Sequence, residues 1–155
     1  MTPKEQATQL LRLLADNTDK GAWDAMLLDR LDLIDVSADG WVDFELTVTT
    51  EMCNPSGMMH GGCIATVFDL CSSVAIAATS PSHDYMDIVM WAGVSRALNV
   101  MFLRPVPSGE TVQVRCDTVS GSKTMALSTA RLLSKASGKL LATATHDKVR
   151  LKALL

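Results

Sequence analysis

The sequence has few charged residues and no cluster of basic ones. Charged residues make up 20% of the 155 residues, and acidic residues outnumber basic ones by 17 to 14. A protein that binds nucleic acid through its phosphates needs a surface rich in Lys and Arg. The net charge of −3 therefore argues against a nucleic-acid partner.

Cysteine is also scarce, and its spacing carries no metal or redox motif. The four cysteines form no Cys-x-x-Cys pair and have no His cluster beside them; they are Cys53, Cys63, Cys71 and Cys116. Structural zinc sites and thioredoxin-like sites are built on such pairs. We therefore expect no metal site and a reduced, intracellular setting.

The sequence also lacks the signals of secretion and of a membrane span. Residues 1–20 contain no basic stretch followed by an apolar one, so a secretory signal is not expected. Residues 61–80 have membrane length, but Asp69 and many small polar residues make a poor span. We expect a cytoplasmic protein, with a mitochondrial location left open.

What the sequence does have is a clear change of hydrophobic period along the chain. An amphipathic helix is predicted at residues 4–17, a short helix at 22–28, and a long apolar helix from 61 to about 79, which Pro81 ends. Residues 82–89 are predicted as an irregular excursion. Period-two patterns predict strands at residues 31–36, 41–48, 94–102, 112–117, 124–133 and 140–151.

This order predicts an α+β fold. The long helix is apolar almost all round, so we expect it to be buried against an antiparallel sheet that wraps it. Residues 1–29 form a helical extension in this interpretation, and residues 30–155 form the main domain. A sheet this small has open edges, and pairing between subunits is one way to cover them.

Asp69 is the one charged side chain in residues 61–80. A carboxylate in an apolar helix is costly to bury unless a partner or a function compensates. Asn54 and His60 stand at the start of the same helix. The pattern predicts a helix whose amino end binds something polar and whose middle supplies a carboxylate. A carboxylate satisfied by the neighbouring hydroxyls of Ser72 or Ser73 is the structural alternative.

Residues 54–62, Asn-Pro-Ser-Gly-Met-Met-His-Gly-Gly, followed by Asp69, resemble the PaaI-like branch of the hotdog-fold thioesterases. The resemblance covers roughly residues 31–150 and includes the Gly-Ser-Lys-Thr turn at 121–124. It implies a sheet curled around one helix, and a homodimer that pairs into a homotetramer. It also implies an active site at the dimer interface and no cofactor, because coenzyme A is part of the substrate.

The resemblance implies that Asp69 activates a water or attacks the thioester carbonyl itself, and the sequence leaves these two roles open. Gly61 and Gly62 open the helix, where unpaired N–H groups and the helix dipole favour a developing oxyanion. We assign the oxyanion contact chiefly to Gly61 and a substrate contact to Gly62. The absence of a Cβ atom lets the carbonyl approach closely.

Three further residues take roles in the same interpretation. Asn54 holds a water or the thioester by its amide, although an Asx turn before Pro55 is an equal use of this residue. His60 orients the loop or donates to the substrate, or simply caps the helix. Ser95 corresponds to a family serine that positions the attacking water.

The phosphates of coenzyme A call for basic groups near the mouth of the site. Lys123 and Thr124, in the turn at residues 121–124, are the first candidates, and Arg104 is the second. The stretch Ser80–Trp91 is longer than the corresponding connection in the relatives, which leaves the acyl preference open.

Other functions are compatible with parts of this pattern. Hotdog hydratases carry an Asp closely followed by Asn-Pro and a His; here no acidic residue closely follows His60, and no Asp stands five residues before it. A module that binds acyl thioesters without hydrolysing them is a second alternative. A thioesterase that releases an acyl chain from a carrier protein is a third, because carrier proteins and coenzyme A share the phosphopantetheine arm.

Overall fold

The computed structural model describes residues 1–22, 24–37 and 39–151, and it contains helices and strands in the predicted order. A short 3-10 turn, Thr50–Met52, precedes the long helix. The helices are α1 (Pro3–Asn17), α2 (Ala25–Leu28), α3 (Gly61–Ala78) and α4 (Tyr85–Ala92). The strands are β1 (Asp32–Val36), β2 (Trp41–Thr47), β3 (Val94–Phe102), β4 (Thr111–Gly121), β5 (Met125–Ser134) and β6 (Leu140–Val149).

The six strands form one antiparallel sheet in the order β1-β2-β4-β5-β6-β3. Alternate side chains on β2 and β4, such as Phe44 and Val114, are fully buried and pack towards α3. Successive strand residues point to opposite faces, so one face of the sheet carries the core. The predicted α+β hotdog fold, an antiparallel sheet with one long central helix, is confirmed.

Helix α3 supplies the centre of this core. Its amino end is capped by His60, whose Nδ1 accepts a hydrogen bond from the Gly62 N–H at 2.9 Å. The helix has a mean hydropathy of 1.6 and is long enough to cross a membrane by length and composition alone. Twelve of its 18 residues are buried inside the fold, which is the environment of a core helix.

Helix α1 packs on the same core from the other side. A capping box between Thr2 and Glu5 fixes its amino end, and Ala7 and Leu10 are buried. The Gln6 side-chain amide donates to the carbonyl oxygens of Ser80 and Ser82, both at 2.9 Å. This buried side chain joins α1 to the segment that follows α3.

The predicted excursion after α3 contains a helix, α4, that the period analysis did not find. Asp84 caps its amino end, because Oδ1 accepts hydrogen bonds from the N–H groups of Met86 and Asp87. Gly93 ends the helix at φ +70°, a conformation that favours glycine. The chain then enters β3 directly.

We expect Gly93→Ala to destabilise the fold far more than Gly138→Ala. Both glycines have φ near +70°, which costs a non-glycine residue about 1–2 kcal/mol, and a ψ of −169° places Gly93 in a region essentially reserved for glycine. At Gly138 a Cβ would meet nothing within 4 Å, whereas at Gly93 it would lie 3.0 Å from the Val149 carbonyl carbon and closer still to its oxygen. The overlap should raise the loss of unfolding free energy to about 3 kcal/mol at Gly93. Equal losses in urea unfolding would contradict this explanation.

Candidate active site

Asp69 lies in the middle of α3, and its side chain is half-exposed although most of the helix is buried. The carboxylate faces the start of β3, where the Ser95 hydroxyl donates a hydrogen bond to Asp69 Oδ1 at 3.0 Å. The structure therefore brings together two of the predicted catalytic residues. Their contact leaves a carboxylate that still reaches solvent.

A third residue completes this cluster, and the sequence analysis did not identify it. The His146 side chain projects from β6, and its Nε2 lies 2.9 Å from Ser95 Oγ and 3.3 Å from Asp69 Oδ1. Its Nδ1 lies 2.6 Å from the hydroxyl of Ser72, one turn along α3 from Asp69. His146 is 1% exposed, so both ring nitrogens depend on protein partners.

The environment of His146 keeps its ring neutral at neutral pH. Burial lowers its pKa to about 4, and the positive charge of Lys148 adds to this effect while Asp69 opposes it. The one proton of the Ser72 hydroxyl is donated to the Phe68 carbonyl oxygen at 2.6 Å, so the neutral ring donates Nδ1–H to Ser72 and its Nε2 is an acceptor. The Ser95 hydroxyl therefore has two acceptors within 3.0 Å, Nε2 and Asp69 Oδ1, and these contacts form a row from Ser72 through His146 and Ser95 to Asp69.

Lys148 lies two residues further along β6, on the same face as His146. Its Nζ donates to the Ser73 hydroxyl at 2.5 Å, and Ser73 in turn donates to the carbonyl oxygen of Asp69 at 2.7 Å. Burial lowers the pKa of Lys148, and the Asp69 carboxylate opposes that shift. A buried ammonium group thus supports the helix turn that carries Asp69.

One sequence signal could have revealed these two residues. His146 and Lys148 occupy alternate positions of a strand whose other members on that face, such as Ala144, belong to the core. Polar side chains on a face that should be apolar indicate a buried polar network. The alternation at residues 140–151 carries this signal, because His146 and Lys148 fall in register with the apolar residue Ala144.

The predicted oxyanion loop forms a second cluster at the amino end of α3. Asn54 Oδ1 accepts hydrogen bonds from the N–H groups of Ser56 and Met58, which is the Asx-turn alternative, and no acceptor within the described part of the chain contacts its NH₂ group. The Gly62 N–H is donated to His60. Among the described residues, no acceptor contacts the Gly61 N–H, so it can still bind an external oxygen.

A shallow cavity of about 470 Å³ opens beside this loop. Its lining includes Asn54, Gly61 and Arg104, together with the Phe102 ring at the end of β3. A Cβ atom on Gly61 would lie 3.3 Å from that ring. Arg104 donates from Nη1 to the Leu140 carbonyl oxygen at 2.6 Å and is exposed. The structure thus places three predicted site residues around one opening.

The two clusters do not meet within one chain. Gly61 and Asp69 are eight residues apart on α3, which separates them by about 12 Å along the helix axis. The carboxylate cluster faces the start of β3, and the oxyanion loop faces its end. The Gly61 N–H and the Asp69 carboxylate of one chain are therefore not adjacent.

Lys123 and Thr124 lie away from both clusters, in the turn between β4 and β5. The Ser122 hydroxyl accepts hydrogen bonds from the N–H groups of Thr124 and Met125, which holds the turn in shape. Both residues are exposed and line a different cavity, of about 610 Å³, beneath α4. Within the described ranges, no three His, Cys, Asp or Glu side chains come together as a metal site.

Comparison with known proteins identifies the family of this chain. The family model described as Thioesterase superfamily matches residues 56–140, more than half of the chain. The chain belongs to the thioesterase superfamily. Human acyl-coenzyme A thioesterase 13 is 30% identical over 141 residues, which cover 91% of this chain and 94% of that protein.

Solved structures resemble this thioesterase over nearly its whole length. The zebrafish thioesterase superfamily member 2 structure has a TM-score of 0.79 at 27% identity, and it covers 97% of this chain and 99% of its own. The PaaI protein of E. coli has a TM-score of 0.74 at 20% identity, with 96% of both chains covered, and shows the same fold. The resemblance to the PaaI-like branch is confirmed.

The buried imidazole of this thioesterase should make its stability depend on pH. The folded state holds His146 at a pKa of about 4 and the unfolded chain at about 6.5, so the unfolded state binds more protons between these values. Stability attributable to His146 is therefore lost as pH falls from 6.5 towards 4, by about 3 kcal/mol in total.

We expect His146→Asn to be less stable than the wild type at pH 7 and to lose less stability on acidification. Urea unfolding at several pH values measures both curves, and the gap between them should narrow by about 3 kcal/mol at pH 4. Replacement of the exposed His83 by Asn is the matched control and should keep the wild-type slope. Parallel curves for the wild type and His146→Asn would contradict the assignment.

Proposed function

We propose that this protein hydrolyses acyl-coenzyme A thioesters to the free acid and coenzyme A. The observation that carries the proposal is the contact of the half-exposed Asp69 carboxylate with Ser95, supported by the neutral His146. The name of the human relative, an acyl-coenzyme A thioesterase, supports the same substrate class. The chemistry needs a base or nucleophile and donors for the oxyanion.

In the proposed reaction, Asp69 binds a water molecule beside Ser95 and removes a proton as the water attacks the thioester carbonyl. Ser95 holds that water from the other side, and the buried His146 ring fixes the position of the Ser95 side chain beside the carboxylate. A general base in this position typically contributes a rate factor of about 10² to 10⁴. Direct attack by the carboxylate, through an anhydride, uses the same geometry.

The oxyanion is stabilised in this proposal by the Gly61 N–H at the positive end of α3, with the Asn54 NH₂ as a second donor. The Gly62 N–H already donates to His60 Nδ1, so it is not an oxyanion donor. Gly62 contributes to substrate binding because its missing Cβ atom leaves room for the substrate. His60 acts by fixing the loop. These donors lie at the amino end of α3, about 12 Å along the helix axis from the turn that faces Ser95.

A second copy of the chain closes the gap between the two clusters. Strand β3 is an edge of the sheet, and several of its apolar side chains are exposed, with Met101 at 62% and Phe102 at 55%. Antiparallel pairing of two β3 strands would cover these residues and place the start of one strand beside the end of the other. We propose that Asp69 of one subunit thereby faces Gly61 of its partner, in a homodimer that pairs into a homotetramer.

Coenzyme A carries phosphate groups, and Lys123 with Thr124 is proposed to bind them. The turn between β4 and β5 is exposed and lies next to the end of β6, where the Arg150 N–H donates to the Thr124 carbonyl oxygen at 2.8 Å. Arg104, near Gly61, is the second candidate for a phosphate contact. Both arginine and lysine suit this role because they remain charged at neutral pH.

Asp69→Asn should lower kcat for an acyl-coenzyme A ester by about 10² or more, because the side chain keeps its shape and loses its basicity. Hydrolysis is followed by release of the free thiol, with an enzyme-only blank for the four cysteines. Asp16→Asn, at an exposed position of α1, is the control and should keep the wild-type rate. A folded Asp69→Asn variant with wild-type kcat would overturn the proposed mechanism.

Lys123→Ala should raise KM for coenzyme A esters and leave kcat nearly unchanged, because the contact forms equally in ground and transition states. The matched substrate is a pantetheine thioester with the same acyl group, which lacks the nucleotide phosphates. Its KM should not change. An equal rise for both substrates would remove Lys123 from the phosphate site.

A further inference from the structure

Arg150 is a buried cation that ends a row of basic side chains on β6 and in the residue after it. His146, Lys148 and Arg150 occupy alternate positions, and all three are less than 5% exposed. The first two have partners in the carboxylate cluster. Arg150 follows the strand and points under α4, into the cavity of about 610 Å³ that Lys123 and Thr124 also line.

The contacts of Arg150 hold the guanidinium in place without neutralising it. Its plane stacks on the Trp91 ring with Cζ 3.3 Å from the ring centroid, Nε donates to the Ser122 carbonyl oxygen at 2.7 Å, and Nη1 donates to the Trp91 carbonyl oxygen at 2.6 Å. In the part of the chain that the structure describes, Nη2 has no hydrogen-bond partner and Arg150 forms no ion pair.

A buried cation with an unused donor is costly unless something compensates for it. Burial lowers the pKa of Arg150 to about 10, so the group is still charged at neutral pH. Lys123 brings a second positive charge to the same cavity. The remaining charged lining residue is Asp87, whose Oδ2 accepts a hydrogen bond from the Ser82 hydroxyl at 2.9 Å. Positive side chains therefore outnumber negative ones among the described residues that line this cavity. The rest of the lining includes the apolar residues Pro81 and Met90.

We propose that Arg150 binds an oxyanion carried by the substrate, in the cavity of about 610 Å³ that is lined by helix α4. Arginine presents paired donors that match the oxygens of a phosphate or a carboxylate. Arg150 lies four residues along from His146, a separation of about 13 Å. A pantetheine arm or a medium-length acyl chain spans that distance. The oxyanion is thus either a phosphate of the nucleotide or a carboxylate at the far end of the acyl group.

The inference rests on the proposed function, because it assumes that one substrate reaches both Asp69 and Arg150. Four thioesters separate the two sources of the oxyanion. They combine coenzyme A or pantetheine with an octanoyl group or its ω-carboxylated counterpart. Arg150→Gln should raise KM about tenfold for the esters that carry the bound oxyanion and leave kcat nearly unchanged.

If KM of the Arg150→Gln variant rises only for the two coenzyme A esters, the bound oxyanion is a phosphate. If KM rises only for the two ω-carboxyl esters, the bound oxyanion is a carboxylate. Arg131→Gln, at an exposed arginine on β5 that pairs with Asp117, is the control and should change none of the four values. The inference would be overturned by a folded Arg150→Gln variant whose KM changes equally for all four esters or for none of them.

Direct binding makes the result independent of turnover and of the stability of Arg150→Gln. Calorimetric titration with coenzyme A and with octanedioate measures each oxyanion alone. Met90→Trp keeps Arg150 and fills part of the cavity, so it should weaken the binding of one of these two probes about tenfold or more. Equal affinities of the wild type and Met90→Trp for both probes would contradict the pocket. Wild-type protein that binds a probe but hydrolyses no ester would refute the proposed function and leave the pocket in place.

Discussion

The row of hydrogen bonds from Ser72 through His146 and Ser95 to Asp69 joins the core helix to the sheet, and the arrangement of the molecule follows from it. A buried imidazole needs a partner at each nitrogen, and here one partner lies on α3 and the other on β3. The row therefore fixes the position of α3 relative to β6 and β3. It also aligns a carboxylate with the mouth of the site, so packing and chemistry depend on the same contacts.

The open edge of the sheet is the second constraint. A single chain leaves β3 with exposed apolar side chains and divides the proposed catalytic groups between the two ends of that strand. A second copy of the chain paired along β3 would cover the exposed side chains and bring the separated groups together. In this account the interface forms the active site and does not merely stabilise the subunit. In such a dimer, the oxyanion loop of one chain lies beside the Asp69 carboxylate of the other chain.

Much of this architecture could be predicted from the sequence, because hydrophobic period is a local property. The boundaries of α1, α3 and β3 follow from caps, a proline and alternation within each segment. Asp69 stood out because it is charged in an apolar run. The helix before β3 was harder to predict from the sequence. Helix α4 depends on the Asp84 cap and on packing against the rest of the fold, and a pattern of eight residues does not reveal this packing.

The part of the candidate site that the sequence did not predict depends on contacts between residues far apart in the chain. His146 lies 77 positions from Asp69 in the chain, and it acts through Ser95, which belongs to a third element. Arg150 contacts the Trp91 ring although the two residues are 59 positions apart, so the sequence does not reveal that this arginine is buried. The turn at Lys123 could be predicted from its sequence, but its neighbours could not.

The division of the active site between subunits is tested most directly by mixed dimers. Asp69→Asn and Asn54→Ala are each expected to be inactive alone, and a mixed dimer contains one site with both wild-type residues. Co-expression of the two chains in equal amounts should therefore restore about a quarter of the wild-type activity, since half of the dimers are mixed and each has one intact site. Activity no greater than that of the separate variants, in a preparation shown to contain mixed dimers, would contradict the account.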